Sequence, residues 1–237
     1  MFLGLNVKFL IDTFFVALSG APAALLVTVI ALAVGIPAGF FLALTRINEV
    51  PILKHVSQVY VSFVRGTPLI IQIFIIYNSV PIILTAIFAK YGIKINIYEL
   101  NPIWYAFIVF SLNTIAILSE VFRSALGTVS KGQLEAAHSV GLTTVQAYRT
   151  VIIPQALVSA LPNICTATTN LIKGTSLGYA MSLQEINLKA KVAANVSYNY
   201  IEAYIDIFLV YLIICMLVEY GFKVLEKRIK IYKAAAA

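Results

Sequence analysis

Charge is scarce in this chain, and so are the motifs a soluble enzyme needs. Asp, Glu, Lys and Arg make up 11% of its 237 residues, where soluble domains carry roughly a quarter. Hydrophobic residues make up 61%, and mean hydropathy is +0.93. One water-soluble core of this size cannot hide that much apolar surface, so the bilayer is part of the solvent. The two cysteines, Cys165 and Cys215, stand alone inside apolar runs and read as buried thiols. His55 and His138 are equally isolated, and no metal site is expected. Gly-Lys never occurs, which excludes a Walker A loop. No paired-carboxylate, Ser/His/Asp or Cys/His arrangement has catalytic spacing, so no catalytic residue is expected. A basic n-region is missing too, and the N-terminal apolar run is too long for a signal peptide; the N-terminus reads as retained.

What is present is a series of charge-free runs. The first lies between Asp12 and Arg46. Its length, roughly 50 Å as helix, exceeds a 30 Å hydrocarbon core. It therefore holds a span plus an N-terminal element outside it, with bends suggested by Gly20, Pro22, Gly35, Pro37 and Gly39. Gly35 and Gly39 form a GxxxG, which favours close helix contact. Further runs lie between Arg65 and Lys90, Glu99 and Glu120, and Arg149 and Lys173, with a last one over residues 203–218 that contains Asp206, which is expected near an interface or in a polar cavity.

The fold class expected is an all-α integral membrane protein with about five transmembrane helices. Net charge is +7, but the basic residues lie mostly at the ends of apolar runs, where they set orientation rather than bind nucleic acid. Arg46, Lys54 and Arg65, then Arg123, Lys131 and Arg149, then Lys223, Lys227, Arg228, Lys230 and Lys233 fall on one side. Lys8, Lys90, Lys94, Lys189 and Lys191 fall on the other, with Lys173 of undecided depth. The positive-inside rule places the N-terminus outside and the C-terminus in the cytoplasm. Residues 1–233 read as one domain, and the alanine run 234–237 as an appended tail.

On this topology the longest cytoplasmic loop, 126–153, joins spans 3 and 4 and contains EAAHSVGLTTVQAYRTVI (135–152). Ser130 with Gln133, and Thr143 with Gln146, have capping-box spacing. Gly141 suits a left-handed helix end, and Val145, Tyr148 and Ile152 line one helix face. Pro154 marks the return to the bilayer. The loop is thus a compact knob of two short helices. A loop resting on the membrane surface is the alternative that periodicity leaves open.

The spacing Glu135-Ala136-Ala137, Gly141, Val151, Ile153, Pro154 resembles the EAA loop of ABC-importer permeases. VYVSFVRGTPLIIQIFIIY (59–77), SLNTIAILSEVFRSAL (111–126), SKGQLEAA (130–137), PQALVSALPN (154–163) and KGTSL (173–177) resemble the polar amino-acid uptake branch, and 50–65 is similar to its cystine-type members. The resemblance runs from about Gly20 to Arg228. It implies a permease subunit whose knob, through Glu135, Ala136, Ala137, Gly141 and Pro154, docks as coupling helices on a cytoplasmic ATPase. It also implies partners: two ABC ATPase subunits, a second permease copy or paralogue, an extracytoplasmic solute-binding protein, an amino-acid substrate and the inner membrane of a prokaryote. ATP and Mg would bind the ATPase, leaving this chain without a cofactor. The chain departs from the family pattern at Gly174, where Asp is usual. It departs again at Asn78-Ser79-Val80-Pro81, where a Gly-Leu-Pro-like turn is usual, and at Ile117-Leu118, where an aromatic is common.

Polar residues inside spans are costly and mark pathways. Gln72, Asn78, Asn113, Glu120, Asn170 and Lys173 are therefore the substrate-path candidates, although for any single Asn or Gln an interhelical hydrogen bond explains it as well. Arg65, which opens Arg65-Gly66-Thr67-Pro68, is a headgroup anchor or a gate. The competing function is an ion-coupled secondary transporter using Glu120, Asp206 or Lys173 as proton carriers.

Overall fold

The computed structural model describes residues 5–93 and 96–235. Lys94, counted in the charge asymmetry, and Ala236 and Ala237 of the terminal run lie outside the described residues. Helices account for the architecture: α1 (Val7–Leu18), α2 (Ala21–Ile47), α3 (Leu53–Gly66), α4 (Leu69–Lys90), α5 (Ile103–Gly127), α6 (Lys131–Ser139), α7 (Thr144–Ala147), α8 (Ile153–Gly174), α9 (Ile186–Ser197) and α10 (Tyr200–Ala235). Among the described residues, five helical stretches are long and apolar enough to cross a membrane: Val7–Ile47, Leu69–Lys90, Ile103–Gly127, Thr144–Met181 and Tyr200–Ile229.

The excess length of the first run forms α1, which turns at Ser19–Gly20 and packs on α9 and α10. Asn6 caps it, accepting from Phe9 N at 3.0 Å, while its own N–H donates to Glu202 Oε1 at 2.8 Å. Pro22 sits in the first turn of α2, where its missing N–H costs nothing. The GxxxG does bring two helices together. A Cβ on Gly35 would lie 2.5 Å from Thr114 Cγ2, and one on Gly39 would lie 3.0 Å from Ser119 N, both on α5. Small residues let backbones approach and gain van der Waals contact where lipid offers no hydrophobic drive. The same logic runs through the core, in which Ala17, Ala21, Ala24, Ala190, Ala194 and Ala203 join α1, α2, α9 and α10.

The structure adds a helix the sequence reading leaves as loop. α3 buries Ser57, Val61 and Val64 against α2 and α5. It exposes Val56, Val59 and Phe63 on a second face and keeps Lys54, Gln58 and Arg65 on a third. Its position beside the start of α4 suits an interfacial helix rather than a span. α10, at about 54 Å, is far longer than the last apolar run and continues well past the bilayer.

The region between α9 and α10 carries three buried carboxylates. Glu185 caps α9, accepting from Asn187 N at 2.7 Å and Leu188 N at 2.9 Å, and Tyr211 donates its hydroxyl to the same carboxylate at 2.9 Å. Glu202 holds Asn6. Asp206 is fully buried, and neither of its oxygens is bonded among the described residues. This corrects its expected place at an interface or in a polar cavity: it lies inside a helix contact. Burial pushes the Glu185 carboxyl up from 4.5 to about 7, against its hydrogen bonds. The folded chain then holds a proton that the unfolded chain has already released, so stability falls as pH rises from about 4.5 to about 7. Melting of the wild type is expected to rise on acidification from pH 8 to pH 5 relative to Glu185→Gln. A pH-independent difference between the two in scanning fluorimetry would remove Glu185 as the cause.

Candidate coupling knob and polar groove

Two features stand out, toward opposite ends of α8. The first is the knob. α6 ends in a Schellman arrangement: Leu142 N donates to Ala137 O at 3.1 Å, and Gly141 N to His138 O at 2.9 Å. Gly141 has φ +83°, a conformation that costs any residue with a Cβ. Thr143 and Gln146 form a complete capping box. Ser130 and Gln133 do not: Ser130 makes no side-chain cap bond, and the Gln133 side chain accepts from Gln155 Nε2 at 3.3 Å instead. The second short helix is not separate either. α7 passes through a π-helical turn, Tyr148–Ile152, straight into α8. Pro154 fits the first turn of α8 and marks no break. The expected apolar face is divided, because the π turn rotates it: Ile152 is buried and Tyr148 half-buried, while Val145 is 77% exposed. Glu135 and Ala136 are exposed at the tip, whereas Ala137 turns inward.

Above the knob, at the ends of α2, α3 and α5, lies an ion cluster. Glu120 bonds Arg46 and, at 2.8 Å, Arg123, and sits 3.8 Å from Arg65. Glu120 was a path candidate and Arg65 an anchor or gate. The structure makes both part of a bracket that ties three helices at one level. Gln72 is likewise structural in its contacts: it is buried, and its amide donates to Val64 O at 2.7 Å and Thr67 O at 3.1 Å, closing the turn between α3 and α4. Asn78 lines a separate cavity of about 250 Å³ with Tyr77, Pro81, Tyr98 and Tyr105. Asn113 is half-buried on α5, and Asn170 is exposed on α8. The six path candidates therefore do not converge. Position 174, where the chain has Gly, faces Leu69 at the start of α4.

The second feature is a groove between α8 and α10. A mainly apolar cavity of about 530 Å³, walled by Ile207, Phe208 and Leu212, also carries Lys173, Asn187 and Glu219 on its lining. It meets one of about 310 Å³ at Glu219, and Lys223 and Glu226 join that one to a third of about 340 Å³. Of the expected path residues, only Lys173 lies here. Glu219 and Tyr211 were missed. Glu219 follows the apparent end of the last apolar run, so the sequence places it in the tail; the length of α10 places it beside α8. By contrast, the cleft of about 240 Å³ between α2, α5 and α8 is lined only by apolar residues and offers nothing to a polar solute. No cluster of His, Cys, Asp and Glu suited to a metal occurs among the described residues.

Comparison with known proteins identifies the family of the chain. The family model for the binding-protein-dependent transport system inner membrane component matches residues 35–231. The L-cystine transport system permease protein TcyL of Bacillus subtilis (strain 168) is 36% identical over 209 residues, 88% of this chain and 85% of that one. The putative glutamine transport system permease protein GlnP of Rickettsia conorii is 31% identical over 222 residues, covering 94% of this chain and 96% of its own. In the crystal structure of an amino acid ABC transporter with histidines, a chain with 26% identity superposes with a TM-score of 0.77, over 96% of this chain and all of that one. An inward-facing MetNI methionine ABC transporter, at 17% identity, shares the fold with a TM-score of 0.70.

Proposed function

The chain belongs to the family of binding-protein-dependent transport system inner membrane components and is a permease subunit of an amino-acid ABC importer, and from that premise we propose how it works. Two ATPase subunits in the cytoplasm grip the knob of this chain and of a second permease, identical or paralogous. A solute-binding protein delivers a polar amino acid to the opposite face, in the inner membrane of a prokaryote. The N-terminus then lies outside and the C-terminus inside. ATP and Mg reside on the partners, and this chain carries no catalytic residue.

The observation that supports this reading best is the unbroken helical rod from Thr144 to Gly174. A cap at Thr143 fixes its start, the π turn packs Ile152 into the core with Phe122 and Ala156, and its far end lines the charged groove. A displacement applied at the knob is transmitted along that rod to the groove, which is the mechanical requirement of alternating access. Glu135 and Ala136 form its exposed tip, and Gly141 fixes the angle between α6 and α7. The proton-carrier alternative loses Glu120, which three arginines hold.

The test is purification in mild detergent followed by transport in liposomes. Wild type is expected to bring down an ATPase and to take up an amino acid only with ATP. Glu135→Lys is expected to cut the recovered ATPase at least tenfold without changing the melting temperature of the permease. Uptake at the full rate without ATP, collapsing with the proton gradient, would overturn the reading.

A further inference from the structure

We propose that the cavity beside the outer half of α4 binds the ethanolamine head of a membrane phospholipid, with Tyr77, Asn78 and Tyr98 receiving its ammonium group. The proposal rests on the orientation given above, which puts this end of α4 outside, and it assigns a cavity that the transport reading leaves unused.

The lining is rich in acceptors. The cavity of about 250 Å³ is walled by Tyr77, Asn78, Pro81, Ile82, Tyr98 and Tyr105, and no lysine or arginine among the described residues lines it. Asn78 Nδ2 donates to Phe74 O at 2.7 Å, while Asn78 Oδ1 takes no bond among the described residues. The Tyr77 and Tyr98 hydroxyls are equally free among them. Pro81, inside α4, has no N–H to return to the Tyr77 carbonyl. The tyrosine ring faces add negative potential. Oxygen acceptors and ring faces around one space, with no cation among them, suit a cation that donates hydrogen bonds.

The wall is held in place. The Tyr77 and Tyr105 rings stand edge-on with centroids 5.4 Å apart. The buried Tyr105 donates its hydroxyl to Ile97 O at 3.2 Å, and the Asn96 side chain accepts from Tyr98 N at 3.2 Å. The 3₁₀ turn Ile97–Glu99 is thereby fixed to α5 and carries Tyr98 to the cavity. Asn78 and Pro81 fall where the chain departs from the family pattern, so two of the lining residues are particular to this chain.

Position and size select a lipid as the source of that cation. Tyr91, Tyr98 and Trp104 are exposed at this end of α4 and α5, and such aromatics mark the headgroup level. Of the five spans, α4 buries the smallest share of its residues. Along it Ile71, Phe74, Ile75, Asn78 and Ile82 follow i, i+3, i+4, i+7 and i+11 and make one exposed stripe. Asn78 is its polar member, and the apolar residues before it run toward the membrane centre, which is the order of head and chain in a phospholipid. The cavity is smaller than those that enclose whole small molecules, and it suits a head whose tails stay outside.

The test is native mass spectrometry of the delipidated permease–ATPase complex, titrated with phosphatidylethanolamine, phosphatidylcholine and phosphatidylglycerol of identical chains. Choline is a cation that donates no hydrogen bond, and the glycerol head carries no cation. Wild type is expected to bind the ethanolamine lipid about tenfold more tightly than either, the effect of hydrogen bonds to a charged group. Asn78→Leu and Tyr98→Leu replace exposed side chains, and each is expected to erase that preference at unchanged melting temperature. Tyr98→Phe is expected to keep part of it through the ring. Equal binding of the choline lipid would show that the acceptors are not used, and equal binding of the glycerol lipid would show that the phosphate is read instead. A preference unchanged in both Leu variants would put its origin elsewhere. Each of these results overturns the proposal, as does a photo-reactive residue at position 98 that cross-links to a partner protein and not to lipid. Lipid binding needs no ATP, so these failures leave the permease reading standing; ATP-independent uptake by the wild type would reject that reading while the lipid preference is still measured.

Discussion

Glu120→Gln is expected to lower the melting temperature by roughly 6–12 °C, the shift that about 3 kcal/mol produces in a chain of this size. The reason is the company it keeps. Glu120 and Arg46 are mostly buried, with side chains 18% and 14% exposed; Arg46 reaches Glu120 through Nη1, and its buried Nε has no hydrogen-bond partner among the described residues. Removing the one carboxylate leaves Arg46, Arg65 and Arg123 facing each other. Breaking a buried pair by deleting one member costs about 3–5 kcal/mol; the half-exposed Arg65 and Arg123 are solvated and screened, which favours the low end. Arg46→Met in the Glu120→Gln background is expected to recover most of the loss, because the buried unmatched charge is then gone. If the double variant melts no higher than the single one, charge is not what the bracket supplies.

Gly20→Ala is expected to be at least as damaging, through sterics alone. A Cβ there would lie 2.5 Å from both Glu185 C and Ile186 N. These are backbone atoms at the start of α9, held by the Glu185 cap, so they cannot swing aside as a side chain does. Backbone conformation is not the issue, since Gly20 has φ −85°, which any residue adopts. Overpacking costs about 1–3 kcal/mol and occasionally more, and contact with fixed backbone puts this case at the upper end. It acts where α1, α2 and α9 meet, so the yield of monodisperse protein is expected to fall sharply. Gly127→Ala is the control. A Cβ on Gly127 meets nothing within 4 Å, and the helix end is expected to tolerate or gain from it. Similar yields and melting for both variants would show that the α1–α2 turn can move away from α9.

The division between what was legible and what was not follows from range. Periodicity and charge-free length are local, and they determined the five spans, the single α-helical class, the capped turn at Thr143 and the left-handed end at Gly141. The EAA spacing is local too, and it carried the family. Even the GxxxG worked, because two small residues one turn apart make a contact surface whatever the partner.

Tertiary structure alone decided what each polar side chain does. Gln72 and Glu120 looked like a pathway because the sequence shows their cost but not their partners; a folded-back turn and three arginines supply those. Asp206 looked interfacial, and the packing of α10 on its neighbours buries it completely. Glu219 follows the last apolar run in sequence, and the length of α10 sets it on the wall of a cavity that Lys173 also lines. The sequence by itself therefore determined which residues must enter the membrane and where the chain turns, since those depend on transfer free energy residue by residue. Which charges meet, and which are left facing a cavity, depends on the register of antiparallel helices brought together from distant parts of the chain, and only the fold could decide that.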